Sequence, residues 1–256
     1  MSQQLSYIHP KAIIAKDVII EPFTVIQNNV EIGEGTWIGN NVTIMEGARI
    51  GKNCKIYPGA VISSTPQDLK FGGEITTCLI GDNTIIREYA TISRGTNDKL
   101  KTVIGKNCLI MAYVHVAHDC IIGDGVILVN SVQLAGHVII DDFAIIGGTS
   151  AILQFVHIGE HVMVGGGSKI RKDVPPFVKV GREPAAYVGI NSVGLRRRGF
   201  SNEKIFEIQE IYRKIYLSGM NNSQAMDEIE CNMSASEERD KIINFVRKSE
   251  KGIVKG

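Results

Sequence analysis

Aromatic side chains are scarce in this 256-residue chain, at 6% with a single Trp, while glycine is plentiful at 27 residues. That balance fits a turn-rich solenoid better than a sandwich. A surplus of charge is also missing, with 28 basic against 27 acidic residues and a formal net charge of +1. Counterion-release binding wants a strong basic surplus, so the composition argues against a nucleic-acid partner. No apolar run approaches membrane-spanning length, and residues 1–10 carry no charged segment leading into an apolar one. The expectation is a soluble, cytoplasmic protein without stable membrane insertion. The five cysteines (Cys54, Cys78, Cys108, Cys120, Cys231) are odd in number and lack CxxC spacing, which favours reduced thiols over disulfides or zinc. With 44% hydrophobic residues, a sizeable core is still available.

What the chain does have is a repeat. An aliphatic residue recurs every sixth position from Ile8 to Ile62, again at Ile80, Ile86 and Ile92, and then from Ile104 to Ile170. Two residues before most of these anchors stands a small or β-branched side chain, such as Val18, Thr24, Val30, Cys54, Ala60, Cys108 or Cys120. Positions i and i−2 share one face of a strand, so both point inward. The intervening residues, rich in Gly, Asn and Asp, suit corners that need left-handed backbone. Three strands and three corners make a triangular coil of 18 residues, and coils stack about 4.8 Å apart. The pattern resembles the hexapeptide-repeat, left-handed parallel β-helix, and the handedness rests on that resemblance.

Residues 63–79 and 97–103 break the hexad and are expected to loop out of the prism. The pattern ends at Pro175-Pro176, and the β-helix is assigned to residues 1–190. Residues 191–256 read as a small helical domain. Ile205, Ile208, Ile211, Tyr212 and Ile215 keep helical spacing behind a Ser201 cap, and further helices are expected near Ser223 and Ser236. Leu109, Ile127, Ile145 and Met163, at steps of 18, form an outward apolar column, and a sister chain is its simplest cover.

One segment interrupts this apolar regularity: His115-Val-Ala-His118-Asp119. One coil onward, 118 becomes Gly136 and 119 becomes His137; two coils onward, 118 becomes Gln154. An imidazole held by Asp119 could take a proton from a hydroxyl, and the Gly136 N–H could face an oxyanion. The competing reading is zinc bound by His115, His118 and His137, although His115 lies on a strand and His118 at a corner. The excursion Pro66-Gln67-Asp68-Leu69-Lys70-Phe71 mixes amide, acid and base. The run Arg196-Arg197-Arg198, following Asn191, suits phosphates or an acidic partner.

At these places the chain resembles the UDP-N-acetylglucosamine acyltransferases that begin lipid A synthesis. The matching segments are Gln67-Asp68-Leu69-Lys70, Arg94-Gly95-Thr96, His115 to Cys120, Leu134 to His137, Asp142 to Gly148, Gln154-Phe155 and Arg197 to Phe200. The resemblance implies that His118 is the general base on the sugar 3-hydroxyl, oriented by Asp119, with Gly136 supplying the oxyanion N–H. It implies that Gln67, Asp68, Lys70, His115, His137, Gln154, Asn191, Arg197 and Arg198 contact the nucleotide sugar or the acyl donor, between subunits of a homotrimer. The donor it implies is a 3-hydroxyacyl thioester on the phosphopantetheine of acyl carrier protein, with no further cofactor and no metal. It places the length-limiting positions for the acyl chain at Gly166 and Pro184, both of which point to a long chain.

The chain departs from the family's frequent residues at Ser93, Leu153 and Val193, where His, His and Glu are common. A 3-amino sugar acceptor is therefore one alternative, and a γ-type carbonic anhydrase is another. The sister N-acyltransferase carries an extra N-terminal domain, for which hexads beginning at Ile8 leave no room. A purely structural or ice-binding solenoid would show outward Thr columns, and none is present.

Overall fold

The computed structural model describes residues 5–256. Among them, short strands build three sheets of nine, eight and ten strands, each sheet taking every third strand of the chain as far as Lys169–Ile170. The result is a three-sided, left-handed parallel β-helix. Strands 18 residues apart lie side by side, as in His115↔Gln133 and Ile127↔Ile145.

The hexad explains the core directly. From Ile20 to Ile170 every anchor is buried, and Val30, Val42, Ala48, Cys54, Ala60, Cys108, Val114 and Cys120 fill the inward slots two residues earlier. Burial pushes the thiols up, to about 12 for Cys78 and Cys120 and about 11 for Cys108. They serve as protonated packing groups; Cys231 is exposed.

The corners hold a surprise. Asn29, Asn41, Asn53, Asn83 and Asn107 occupy left-handed positions as expected, but so do Tyr89, Tyr113, His137, Phe143, Phe155 and His161. Bulky side chains resist that conformation. Here each ring stacks on the one a coil away: Tyr89 on Tyr113 at 5.3 Å, His137 on Phe155 at 4.5 Å, Phe143 on His161 at 5.1 Å. Stacking offsets part of the backbone cost.

Both excursions are shorter than the broken hexads suggest. Val61–Ser64 and Thr77–Ile80, and likewise Thr91–Ser93 and Lys101–Ile104, remain in strands, so the loops span 65–76 and 94–100. Pairs such as Ser64↔Ser93 and Thr77↔Lys101 keep the chain hydrogen-bonded beyond the end of the pattern.

The solenoid also continues past Pro175-Pro176. Val178–Gly181 adds to the sheet in parallel with Met163–Val164, and Ala186–Ile190 folds back antiparallel against it. Four helices follow: α1 (Ser192–Arg197), α2 (Asn202–Leu217), α3 (Asn222–Asn232) and α4 (Glu237–Lys248). Ser201 and Ser236 cap α2 and α4 as expected; α3 starts slightly earlier than expected because Asn221 and Gln224 form a capping box. The buried Tyr212 hydroxyl donates to the Pro176 carbonyl at 2.6 Å, tying α2 to the prism.

Candidate active site

The polar interruption of the repeat becomes one corner of the prism. Asp119, His137 and Phe155 all sit there with positive φ, in successive coils. Asp119 is fully buried, and four donors surround its carboxylate. Oδ1 accepts the Thr96 N–H at 3.0 Å and the Lys99 N–H at 3.3 Å. Oδ2 accepts the Thr96 hydroxyl at 2.6 Å and lies 2.8 Å from His118 Nδ1. Burial alone would raise its pKa, but the bonds from Thr96 and His118 outweigh burial and hold it below the usual carboxylate range. An ionised Asp119 requires the His118 proton on Nδ1, which leaves the Nε2 lone pair free.

Gly136 stands against that nitrogen. A Cβ there would fall 2.8 Å from His118 Nε2, so glycine is required for the imidazole to lie over the backbone. Among the described residues the Gly136 N–H donates to no protein acceptor. A base and an unpaired backbone donor thus lie side by side. They open on a groove of about 430 Å³ lined also by Gln67, His115, Gln133 and Gln154.

On the other side of Asp119, His137 Nε2 lies 3.8 Å from Oδ2, and its ring meets His118 edge-on at 5.1 Å. Its Nδ1 is 3.1 Å from Asp98 but lacks hydrogen-bond alignment. Burial pulls the His137 pKa down, against the attraction of Asp119. His137 and Phe155 face a second groove of about 450 Å³ with Asp68, Lys70, Glu74 and Asp98. His115 hydrogen-bonds Thr91 Oγ1 through Nδ1 at 2.7 Å.

The three histidines do not converge on one point. The donor atoms within 4.8 Å of one another belong to His118, Asp119 and His137. Each Asp119 oxygen already takes two hydrogen bonds, a poor fit to a metal ligand.

The remaining expected residues lie elsewhere on the same chain. Asn191 caps α1 through Gly194 and donates to the His161 carbonyl at 2.9 Å, and Arg198 lies 4.4 Å over the Phe143 ring. Asn191 and Arg198 therefore belong to the corner of Phe143 and His161, one strand beyond that of His118; the neighbouring Arg197 is exposed. Gly166 abuts Gly148 at the third corner, and Pro184 lines a separate cavity of about 420 Å³ with Lys169, Arg171, Lys172 and Lys255. Sequence reasoning missed the contacts of Thr96, Asp98 and Phe155; stepping 18 residues from His137 finds Phe155, but no period reaches the 94–100 loop.

Comparison with known proteins identifies the family. Residues 173–254 match the family described as UDP-N-acetylglucosamine O-acyltransferase, domain 2, and residues 29–64 and 101–136 match the bacterial transferase hexapeptide repeats. The acyl-[acyl-carrier-protein]–UDP-N-acetylglucosamine O-acyltransferase of Chlorobium phaeobacteroides is 58% identical over 186 residues, which is 72% of this chain and 70% of that protein. Its counterpart in Aquifex aeolicus is 57% identical over 196 residues, 76% and 75% of the two chains. The crystal structure of the UDP-N-acetylglucosamine acyltransferase from Bacteroides fragilis covers 100% of both chains at 51% identity, with a TM-score of 0.98. The chain belongs to the UDP-N-acetylglucosamine O-acyltransferase family.

Proposed function

We propose that this protein transfers a 3-hydroxyacyl chain from acyl carrier protein to the 3-hydroxyl of UDP-N-acetylglucosamine, the first step of lipid A synthesis. The observation that carries the reading is the His118–Asp119 pair, with Nδ1 held at 2.8 Å and Nε2 beside the unpaired Gly136 N–H. His118 Nε2 takes the proton of the sugar 3-hydroxyl as its oxygen attacks the thioester carbonyl. The Gly136 N–H stabilises the resulting oxyanion. Collapse breaks the carbon–sulfur bond, and the imidazolium returns its proton to the departing phosphopantetheine thiolate. The donor brings its own thioester, so no further cofactor and no metal take part.

Gln67, His115 and Gln154 border the groove of the base, while Asp68, Lys70 and His137 border its neighbour; we assign both to the reacting substrates. Asn191, Arg197 and Arg198 stand apart from that corner, so we assign them to the site of an adjacent subunit in a homotrimer. The apolar column Leu109, Ile127, Ile145 and Met163, in register and only half-buried in the single chain, supports such an interface. No helix among the described residues is long and apolar enough to cross a membrane, and we place the reaction in the cytoplasm.

Mass spectrometry of the product from purified protein, UDP-N-acetylglucosamine and a panel of acyl carrier protein thioesters tests the reading. An ester of the acceptor supports it. Turnover only with a 3-amino acceptor, giving an amide, would replace it; Leu153 and Val193, both exposed and apolar, motivate that arm.

A further inference from the structure

The Asp119 carboxylate is held mainly from outside the repeat. Among the described residues, Thr96 supplies two of its four donors and is the only one to bond both oxygens. Its loop is itself firmly seated. Arg94 N donates to Ser64 O at 3.0 Å, Gly95 N to Thr77 O at 3.1 Å, and Leu100 N to Thr96 O at 2.8 Å. A Cβ at Gly95 would run into the Lys101 backbone, so the approach of this loop requires glycine there. Glu74 joins the two excursions by accepting from Asn97 N at 3.0 Å and Gly72 N at 2.8 Å.

We propose that Thr96 is a positioning residue for the acyl transfer: it clamps both oxygens of Asp119, and so aims the carboxylate at His118 Nδ1. The inference rests on the reading of His118 as the base. A carboxylate fixed at one oxygen can still rotate about its own bond; fixed at both, it presents Oδ2 in one direction. The hydroxyl bond at 2.6 Å is charge-assisted and favours the ionised form. The other titratable groups facing Asp119 are His118 and, at 3.8 Å, His137; Asp98 faces His137, and Lys99 reaches Asp119 through its backbone N–H while its charge acts on His137. Thr96 itself carries no charge, so removing its hydroxyl leaves the charges around Asp119 as they are.

Thr96→Val keeps the shape and the backbone N–H but removes the hydroxyl; Thr96→Ser keeps the hydroxyl. With purified full-length protein, the acyl carrier protein thioester and UDP-N-acetylglucosamine, Thr96→Val should lower kcat about tenfold to a hundredfold, the scale of a small misplacement at the reacting centre. KM for the sugar should change little. The acid limb of the kcat profile should move to higher pH, because Asp119 loses a bond that favours its charged form. Thr96→Ser should restore both kcat and the limb.

Wild-type kcat with an unmoved limb in Thr96→Val would overturn the assignment, as would equal losses in the two variants. Should Thr96→Val fail to fold, Thr96→Ala, which also removes the hydroxyl, takes its place beside Thr96→Ser: a lowered kcat with a raised limb in Ala but not in Ser supports the clamp, and equal kcat in the two removes it. His118→Ala, measured alongside, separates the two readings. Full activity there overturns the base itself, whereas an inactive His118→Ala beside a silent Thr96→Val overturns only the clamp.

Discussion

His118 and Asp119 are adjacent in the chain, yet their side chains meet, with Nδ1 2.8 Å from Oδ2 and Asp119 held at φ 59°. A left-handed corner thus brings two successive residues into a base–carboxylate pair. His118→Ala should lower kcat by about 10²–10⁴-fold, the contribution of a positioned general base. The hexad anchors, not this side chain, make the core, so circular dichroism should report the same fold. A kcat near wild type would refute the assignment.

The outward column at Leu109, Ile127, Ile145 and Met163 yields a second prediction. Ile127→Asp places an unpaired charge where the proposed trimer excludes water, a cost of several kcal/mol. Light scattering should show dissociation or aggregation. A stable, active monomer in the wild type would end the trimer reading.

Acyl-chain length is the third test. Within Gly165-Gly166-Gly167 only Gly167 has a positive φ, so the turn does not need glycine at 166. A Cβ at Gly166 meets just the Gly148 backbone, at 3.2 Å from its carbonyl oxygen. Gly166→Met should therefore fold and prefer shorter donors than the parent. Each buried methylene is worth about 0.8 kcal/mol, so losing room for four carbons shifts selection by about 3 kcal/mol. An active variant with the parent's preference would show that Gly166 is not the ruler.

The fourth concerns acid. His161 is buried among Phe143, Phe177 and Phe200, and its Nδ1 has no hydrogen-bond partner among the described residues. Burial, helped by the charges of Arg198 and Lys241, pulls its pKa from 6.5 to about 4. Between those values the unfolded chain binds a proton that the folded chain refuses. This contribution is complete above the upper value and is lost as pH falls toward the lower one. Urea midpoints measured across that window should fall less steeply in His161→Phe than in the parent; parallel slopes would contradict the account.

Much of the site was legible because burial in a solenoid imposes strict arithmetic. Adding 18 to Asp119 finds His137, and adding 18 to His118 finds Gly136; the structure brings both pairs together. The clamp by Thr96 was not legible, since the 94–100 loop leaves the period and its path depends on contacts with Ser64, Thr77 and Glu74. The hairpin of Val178–Gly181 and Ala186–Ile190 was hidden for a related reason: one of its strands is antiparallel and obeys no hexad. Aromatic rings at left-handed corners run against local preference and become intelligible only when the neighbouring coil supplies a stacking partner.

The coil length also governs how this molecule tolerates change in its own length. Deleting 18 residues from a regular stretch shortens the prism by one storey and leaves every later side chain on its original face, as the pairing His115↔Gln133↔Ala151 requires. Deleting six preserves the inward anchors equally well but carries all that follows on to the next face. After such a cut between Cys120 and Gly136, His137 would stand above a different corner and Asp119 would lose its neighbour, in a protein whose core was undisturbed.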